Sequence, residues 1–576
     1  MGDEASQAYC LGLEWLGRCA YKPSQPFAVY FSLGEVIGAL AFTLAVQQLL
    51  KPIYIFRLNA RRTPIAALYV VVLLGSLSAI FAAIVPNLPD LHTGFWGYAI
   101  VWELFGAMLF CLAYGAVVLA VMKPVTATPS TMIAFCRSSV RTLAAATEAD
   151  VVDYARDLER SLPALIKAAQ IHHWRFETPS AFYLFRKRVA LERGSYAAKL
   201  LAVLADPFIC RTLVSRCPWL TAAMVMDVSD AELHSEHAEP LVRELAHQAV
   251  TGPASMMARE VRYLGFGTAP VLSDCLFSSA FIVDRYNPFD WVFSDHNPPS
   301  VDVLKRYNSA VKRAVKALIT KRKFGRSYAV FHIGSFYESL FASAYKIQRD
   351  PNQDYAFVIE MMKGAALAIE LAQEIETSVS PGHYESLFVD DPTKHRSDMM
   401  EALVEIVVEA LEGIANKFKG SDDPFWSQAL NILGDVFPQF RDQPDGLTPL
   451  QQRVALKLIG KLEHNMRGFY PAVSRVLLAC VGPYERNGLQ PGRTAFNILR
   501  DAMYVELKKL PVLAASKPKK LLDFLPDNLS FEYADSSLTH TYRDGAKVST
   551  NLRTLLLPAV SLLDPAFRRP QPLGES

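Results

Sequence analysis

Three long apolar runs lie within the first 122 residues, and they constrain the fold more than any other feature of the chain. The runs cover residues 27–50, 64–85 and 96–122. Roughly 20 apolar residues in a helix span the hydrocarbon core of a bilayer, so each run is long enough to be a transmembrane helix. The alternative is three buried core helices, but such helices rarely stay this long without charged residues.

Basic residues in the short loops predict the orientation. Lys51, Arg57, Arg61 and Arg62 follow the first run, whereas residues 86–95 contain no Lys or Arg. Because cytoplasmic loops carry the excess of basic residues, residues 1–26 are predicted outside and everything after Met122 inside the cell. The sequence therefore predicts a multi-pass protein of the cell membrane (an inner membrane where there are two), with the lipid bilayer as its first partner.

The charge balance argues against one class of partner for the part after the third run. The chain of 576 residues is 51% hydrophobic and 20% charged. Its first 122 residues carry six basic and six acidic residues, so the net charge of +2 belongs to residues 123–576. Nucleic-acid-binding domains usually carry a large basic surplus, and a nucleic-acid partner is therefore not expected.

Two carboxylates lie inside the predicted spans, Glu35 in the first and Glu103 in the third. In the predicted topology they fall at nearly the same depth, and the small residues Gly34, Gly38 and Gly106 near them favour close helix packing, within one chain or in a homo-oligomer. Two carboxylates in contact share a proton, as in proton relays and cation sites. The alternative is that each is neutral and hydrogen-bonded within the protein.

Two cysteines, Cys10 and Cys19, fall on the predicted outer side, where disulfides persist. A bridge between them is one interpretation, and two free thiols are the other. No C-x-x-C pairing suggests a structural zinc site, and no metal or cofactor is predicted.

The remainder of the chain has mainly helical periodicity, and we predict two cytoplasmic helical domains, residues 123–300 and 301–576. Thr147 and Asp150 have the spacing of a capping box. After a predicted N-cap at Ser397, a helix carries one apolar stripe, formed by Met399, Leu403, Ile406, Ala410 and Ile414. Asp544-Gly545 suits the turn of one small β hairpin near the C-terminus. The predicted fold class is therefore mainly α.

Three segments of this part could hold a site. His234 and His237 lie among acidic residues and could bind a metal on one helix face, or simply belong to an exposed acidic helix start. Residues 284–299 combine Asp284, Asp290, Asp295 and His296 with aromatic residues and prolines. Such a loop either forms a pocket wall or is anchored by its rings.

The third segment, residues 304–323, is an amphipathic basic helix. Its apolar stripe contains Leu304, Tyr307, Val311, Ala314 and Leu318. Its cations could bind anionic lipid, and they are Lys305, Lys312, Arg313, Lys316, Lys321, Arg322 and Lys323. The alternative is a core-packed helix with a solvated basic face.

The sequence contains no phosphate loop, nucleophile elbow or kinase motif, so no catalytic residue is predicted. The function expected first is a membrane anchor for a helical interaction, sensing or regulatory module, with an unidentified protein partner on the cytoplasmic side. A second hypothesis is an oligomeric proton or cation pathway built on Glu35 and Glu103. A third is a membrane-bound enzyme.

Overall fold

The computed structural model describes most of the chain between residues 51 and 466, and short stretches beyond it. The described ranges are 51–61, 65–84, 99–173, 181–263, 270–290, 299–344, 351–379, 398–417, 424–438, 447–466, 497, 499–500, 507–508, 529–532, 534–541 and 547–551. Within them the chain is mainly helical, which confirms the predicted fold class. The predicted tail 1–26 and the predicted span 27–50 lie outside the described residues.

Residues Met1–Leu245 form one compact unit and Ala246–Ser576 a second, whereas the sequence places a domain boundary after residue 300. The described helices of the first unit are α1 (Pro52–Ala60), α2 (Ile65–Ile84), α3 (Ala99–Met122), α4 (Met132–Leu143), α5 (Glu148–Glu159), α6 (Leu162–His173), α7 (Ala181–Leu204), α8 (Pro207–Arg216), α9 (Pro218–Asp230) and α10 (Glu239–Thr251), which runs into the second unit.

The described helices of the second unit are α11 (Met256–Tyr263), α12 (Leu272–Phe277), α13 (Ala280–Tyr286), α14 (Val301–Thr320), α15 (Tyr328–Ala344), α16 (Pro351–Ser378), α17 (Met399–Lys417), α18 (Pro424–Val436) and α19 (Pro449–Met466). A three-stranded antiparallel sheet contains β1 (Leu529–Glu532), β2 (Ser537–Thr541) and β3 (Lys547–Asn551). Strands β2 and β3 flank the predicted Asp544-Gly545 turn, and the sequence analysis missed β1.

Local sequence explains where several helices begin. Thr147 and Asp150 form the predicted capping box at the start of α5. Asp206 accepts hydrogen bonds from Phe208 N (2.8 Å) and Ile209 N (3.4 Å) and so caps α8. At α17 the prediction is one residue off, because Asp398 accepts the bond from Glu401 N at 2.7 Å.

The core of the first unit includes α1, which the sequence predicts only as a loop between two spans. Phe56 is fully buried between Phe135 and Tyr154, with ring centroids 5.4 and 5.1 Å away. The Tyr154 hydroxyl donates to Ser139 Oγ at 2.8 Å, so the buried phenol has a partner. This aromatic cluster attaches α1 to α4 and α5.

The core of the second unit surrounds α14 and α16. The predicted apolar stripe of α14 is buried, and the Tyr307 ring lies 3.9 Å from that of Phe336. Asn308 Nδ2 donates to Glu360 Oε1 at 3.2 Å and the Tyr337 hydroxyl donates to Asn308, so this buried polar cluster is bonded internally. These contacts hold α14, α15 and α16 in one layer of side chains.

Candidate functional site

Helices α2 and α3 contact each other through small residues. A Cβ atom on Gly106 would lie 3.0 Å from Gly75 O, so the two backbones meet where a side chain would not fit. Next to this contact, Ser78 Oγ donates to Trp102 O at 2.6 Å, and the rings of Phe81 and Trp102 pack edge to face at 4.7 Å. Backbones approach in this way where helices associate in lipid.

The outward faces of the same two helices are apolar and exposed. Leu73 on α2 is 55% exposed and Leu112 on α3 is 59% exposed. Among the described residues, one helical stretch, Ala99–Leu119, is long and apolar enough to cross a membrane, and a shorter apolar stretch covers Ala67–Ala82. Of the predicted spans, only 96–122 therefore contains a stretch long enough to cross; the stretch within 64–85 is shorter and residues 27–50 are not described, so three spans stay a prediction.

The predicted intramembrane residues divide between described and undescribed parts of the chain. Glu103 is half-buried in α3 and has an interaction partner, and Gly106 lies at the contact with α2. Glu35, Gly34 and Gly38 lie outside the described residues, as do Cys10 and Cys19. The pairing of the two glutamates and the disulfide remain predictions.

An ion pair attaches α1 to α5, and a hydrogen bond attaches the chain after α3 to the same carboxylate. The buried Asp157 carboxylate accepts from Arg57 Nε at 2.9 Å and from Val125 N at 2.5 Å. Burial raises the pKa of Asp157, and the Arg57 guanidinium opposes this shift. Arg61 Nη2 also donates to Lys123 O at 2.6 Å, so the chain before α2 and the chain after α3 lie side by side.

Beside these pairs lies a cleft of about 470 Å³, here called the arginine cleft. Pockets for small ligands are usually roughly 300–1,000 Å³, so the cleft has room for one. Its walls come from α1, α5 and the junction of α8 with α9, and its lining residues are Ile53, Tyr54, Arg57, Val152, Asp153, Arg156, Arg216, Cys217, Pro218, Trp219 and Leu220.

Cations outnumber anions in the lining, which contains three arginines and one aspartate. Arg216 Nε pairs with Glu148 at 2.6 Å, and this bond lowers the pKa of Glu148. Asp153 pairs with Lys51 at 3.1 Å, and the hydrogen bond raises the pKa of Lys51. Arg156 is exposed and has no ion-pair partner among the residues that the structure describes.

One wall of the arginine cleft is the N-terminus of α9. Cys217 is the N-cap residue and Pro218 the first helical residue, and the Cys217 side chain makes no capping hydrogen bond. The first N–H groups of a helix carry a partial positive charge and bind anions. The Trp219 ring at this end is 64% exposed. Burial raises the pKa of the Cys217 thiol, which argues against a reactive cysteine here.

The predicted basic helix corresponds to α14, and most of its cations pair with carboxylates of the same chain. Its apolar stripe is buried, which favours the core-packed alternative over a helix that lies on lipid. Five of its seven predicted cations pair with carboxylates: Lys305 with Asp302, Lys312 with Glu370, Arg313 with Asp274, Lys316 with Glu370 and Glu374, and Lys323 with Asp284. Lys321 and Arg322 are exposed at its C-terminal end.

The two histidines do not share a helix face, because α9 ends at Asp230 and residues 231–238 are not helical. His234 Nε2 lies 3.3 Å from Glu239 Oε1. Among the described residues no group of three metal-ligating side chains comes together.

In the 284–299 segment, Asp284 pairs with Lys323 at 2.9 Å and Asp290 with His332 at 3.3 Å. Asp295 and His296 lie outside the described residues.

Sequence reasoning missed the arginine cleft. Its lining residues are spread from Ile53 to Leu220, and each one alone is an ordinary helix residue. A partial signal was present, because Arg57 belongs to the basic loop that predicts the orientation. No protein-family model matches the chain, and neither a curated protein nor a solved structure matches it.

Proposed function

We propose that the chain is an integral membrane protein in which α2 and α3 cross the bilayer and carry a helical cytoplasmic module. The observation that carries this proposal is the exposed apolar surface of the α2–α3 pair. Tyr114, at 64% exposed, and Met108, at 52%, extend this surface along α3. In water such a continuous surface would promote association, whereas in lipid it is solvated.

The contact between α1 and the chain after α3 supports the proposed topology. Two crossings return the chain to the side from which it started, so residues 51–61 and the residues after Met122 must share a side. Two contacts join these segments: Arg61 donates to Lys123 O, and Arg57 donates to the Asp157 carboxylate, which also accepts from Val125 N. The basic residues of α1 favour the cytoplasm as the shared side.

For the module itself we propose binding of a protein partner, and homo-oligomerisation through the membrane helices. Tyr328 and Phe331 support the first part, since they lie three residues apart on α15 and are 59% and 51% exposed. The conduction and enzyme hypotheses have less support. A conduction path needs Glu35, which lies outside the described residues.

Labelling with a membrane-impermeant maleimide tests the anchor. In native membranes broken open to expose both faces, the exposed Cys111 of α3 and a Leu73→Cys variant should be labelled more than tenfold more slowly than a Met226→Cys variant. The reason is that hydrocarbon excludes both the reagent and the reactive thiolate.

Met226 is the matched control because it is 49% exposed on α9 of the module. Peptide mass spectrometry resolves each site, and labelling after denaturation checks that every thiol can react. Equal labelling of Cys111 and Met226→Cys in the native membrane would contradict the anchor.

A further inference from the structure

The arginine cleft has the chemistry of a phosphate site. We propose that it binds a phosphate group, either the headgroup of an anionic phospholipid or a free phosphorylated compound. The lipid source rests on the proposed membrane anchor, but the phosphate site itself does not. Three arginines from three separate elements line the cleft beside a single aspartate, and this surplus of positive charge favours an anionic ligand.

Arg156 is the arginine of the cleft that forms no ion pair with the described residues. Arg57 is held by the buried Asp157 and Arg216 by Glu148, so both have partners within the chain. Arg156 is exposed at the cleft and pairs with no carboxylate among the described residues. A guanidinium binds phosphate oxygens through two parallel N–H groups, so Arg156 can be the principal contact.

The N-terminus of α9 adds backbone donors to the lining. The N-terminus of α9 supplies N–H groups at Trp219 and Leu220, and the N-cap side chain of Cys217 leaves them uncapped. Helix N-termini and arginines bind phosphate by the same attraction for negative charge, and here the two features line one cavity. Asp153 is the one lining carboxylate, and Lys51 partly compensates its charge.

The position of the cleft favours a lipid headgroup as the source. The α1 residues in its lining, Ile53, Tyr54 and Arg57, follow within a few residues of position 50, where the first predicted span ends. The exposed Trp219 ring has the amphipathic character of side chains at the membrane–water interface. Arginines near such a surface attract anionic lipid.

Binding to the purified full-length chain in a neutral detergent tests the site. Calorimetric titrations would use short-chain phosphatidylglycerol, short-chain phosphatidylcholine and inorganic phosphate. We expect saturable binding of phosphatidylglycerol, and Arg156→Gln should weaken it about tenfold because one charge-assisted contact is lost. Arg141→Gln, which removes an exposed arginine of α4 outside the cleft, should leave the affinity unchanged.

The three ligands separate the two sources. Binding of phosphatidylglycerol alone assigns the site to lipid, whereas equal binding of inorganic phosphate assigns it to a free phosphorylated compound. The proposal is overturned if neither anion saturates, if phosphatidylcholine binds as tightly as phosphatidylglycerol, or if Arg156→Gln and Arg141→Gln have equal effects. An anchored protein that binds no phosphate would refute only this inference.

A second variant changes affinity in the opposite direction. Asp153→Asn removes the lining carboxylate and releases Lys51, so phosphate binding should become several-fold tighter. A variant that merely loosens the fold would lower the affinity instead. Unchanged far-UV circular dichroism would confirm that each variant is folded.

Discussion

The helix pair α2–α3 and the helix pair α17–α19 bury helix surface in two different ways. The first contact consists of glycine, serine and aromatic groups, and large apolar side chains point outward. The second has buried apolar residues such as Leu403 and Val454 inside, and ion pairs along its edge. The outward faces of the two pairs therefore differ: α2–α3 presents large apolar side chains, as the proposed anchor requires, and α17–α19 presents charges that water solvates.

The ion pairs of α17 and α19 form a ladder with helical spacing. Arg453, Lys457 and Lys461 follow one another at intervals of four residues on α19. They face the carboxylates Asp398, Glu401, Glu405, Glu409 and Glu412. Exposure increases along the ladder, from 11% for the side chain of Arg453 to 34% for that of Lys461. The contribution of each ion pair to the free energy of unfolding should therefore decrease from Arg453 to Lys461.

The largest expected effect is at the buried end of this ladder. Arg453 donates to both oxygens of Asp398, at 3.0 Å each. Arg453→Met would leave Asp398 buried without its cation, and we expect a loss of about 3–5 kcal/mol in the free energy of opening of α17. Hydrogen exchange of the α17 amides in the full-length chain measures this loss.

Asp398→Asn in the Arg453→Met background is the control. Asparagine keeps the N-cap bond to Glu401 N but carries no charge, so the double variant should recover a large part of the loss. No recovery would mean that the lost packing of Arg453, rather than the unpaired carboxylate, caused the effect.

The next largest effect is expected at the α2–α3 contact. Gly106→Leu would force a side chain against the backbone of α2, because an added Cβ at Gly106 would lie 3.0 Å from Gly75 O. Overpacking of this kind costs about 1–3 kcal/mol, and we expect a lower midpoint of thermal unfolding and less protein extracted as a single species in detergent.

Gly115→Leu is the matched change in the same helix, since an added Cβ at Gly115 meets no atom within 4 Å. We expect Gly115→Leu to leave the midpoint of thermal unfolding unchanged, because the added side chain would extend into open space beside α3. If both variants lost the same amount, helix propensity or insertion, not the contact with α2, would explain the result.

The helices of both pairs could be predicted from the sequence, but which helix each one packs against could not. The predicted spans 64–85 and 96–122 correspond to α2 and α3, and the predicted stripe residues Met399, Leu403, Ile406 and Ala410 are buried in α17. Hydrophobic period is a local property, so it identifies a buried face without saying what covers it. The small residue Gly106 predicted a close helix contact, within one chain or in a homo-oligomer, without naming the helix it meets, and the structure brings it to Gly75 on α2.

The site was less accessible to prediction than the fold. Arg57 was noted as a topology signal, but its partner Asp157 lies 100 residues later, and nothing local connects the two. The basic stripe of α14 gave a stronger local signal, and the structure gives most of its cations partners inside the protein. Charge patterns show where cations are, while their availability to a ligand depends on distant carboxylates.

A smaller effect is expected at the exposed end of the ladder. Lys461→Met removes pairs with Glu409, at 3.2 Å, and with Glu412, and should cost about 1 kcal/mol in the opening of α17. Lys305→Met removes an exposed pair with Asp302 at 3.5 Å and should cost nothing measurable. If hydrogen exchange gave the same loss of opening free energy for Lys461→Met and Lys305→Met, the ladder would stabilise the protein no more than an isolated surface ion pair does.

The smallest expected effect is a change at alkaline pH in the thermal stability that the lysines of α19 provide. Burial lowers the pKa of Lys457 and Lys461, but the facing carboxylates outweigh it and hold both values above the usual 10.5. A lysine pKa raised by folding stabilises the folded state below the unfolded value, and this stabilisation is lost as the pH rises through the folded value. The wild-type chain should therefore melt at a higher temperature than Lys457→Met/Lys461→Met at about pH 8, and the difference should shrink as the pH rises past the usual lysine pKa of 10.5 and through the raised folded values. Thermal melts followed by circular dichroism measure both, and a difference that stays constant to high pH would show that the methylene stems, not the charges, hold α19 to α17.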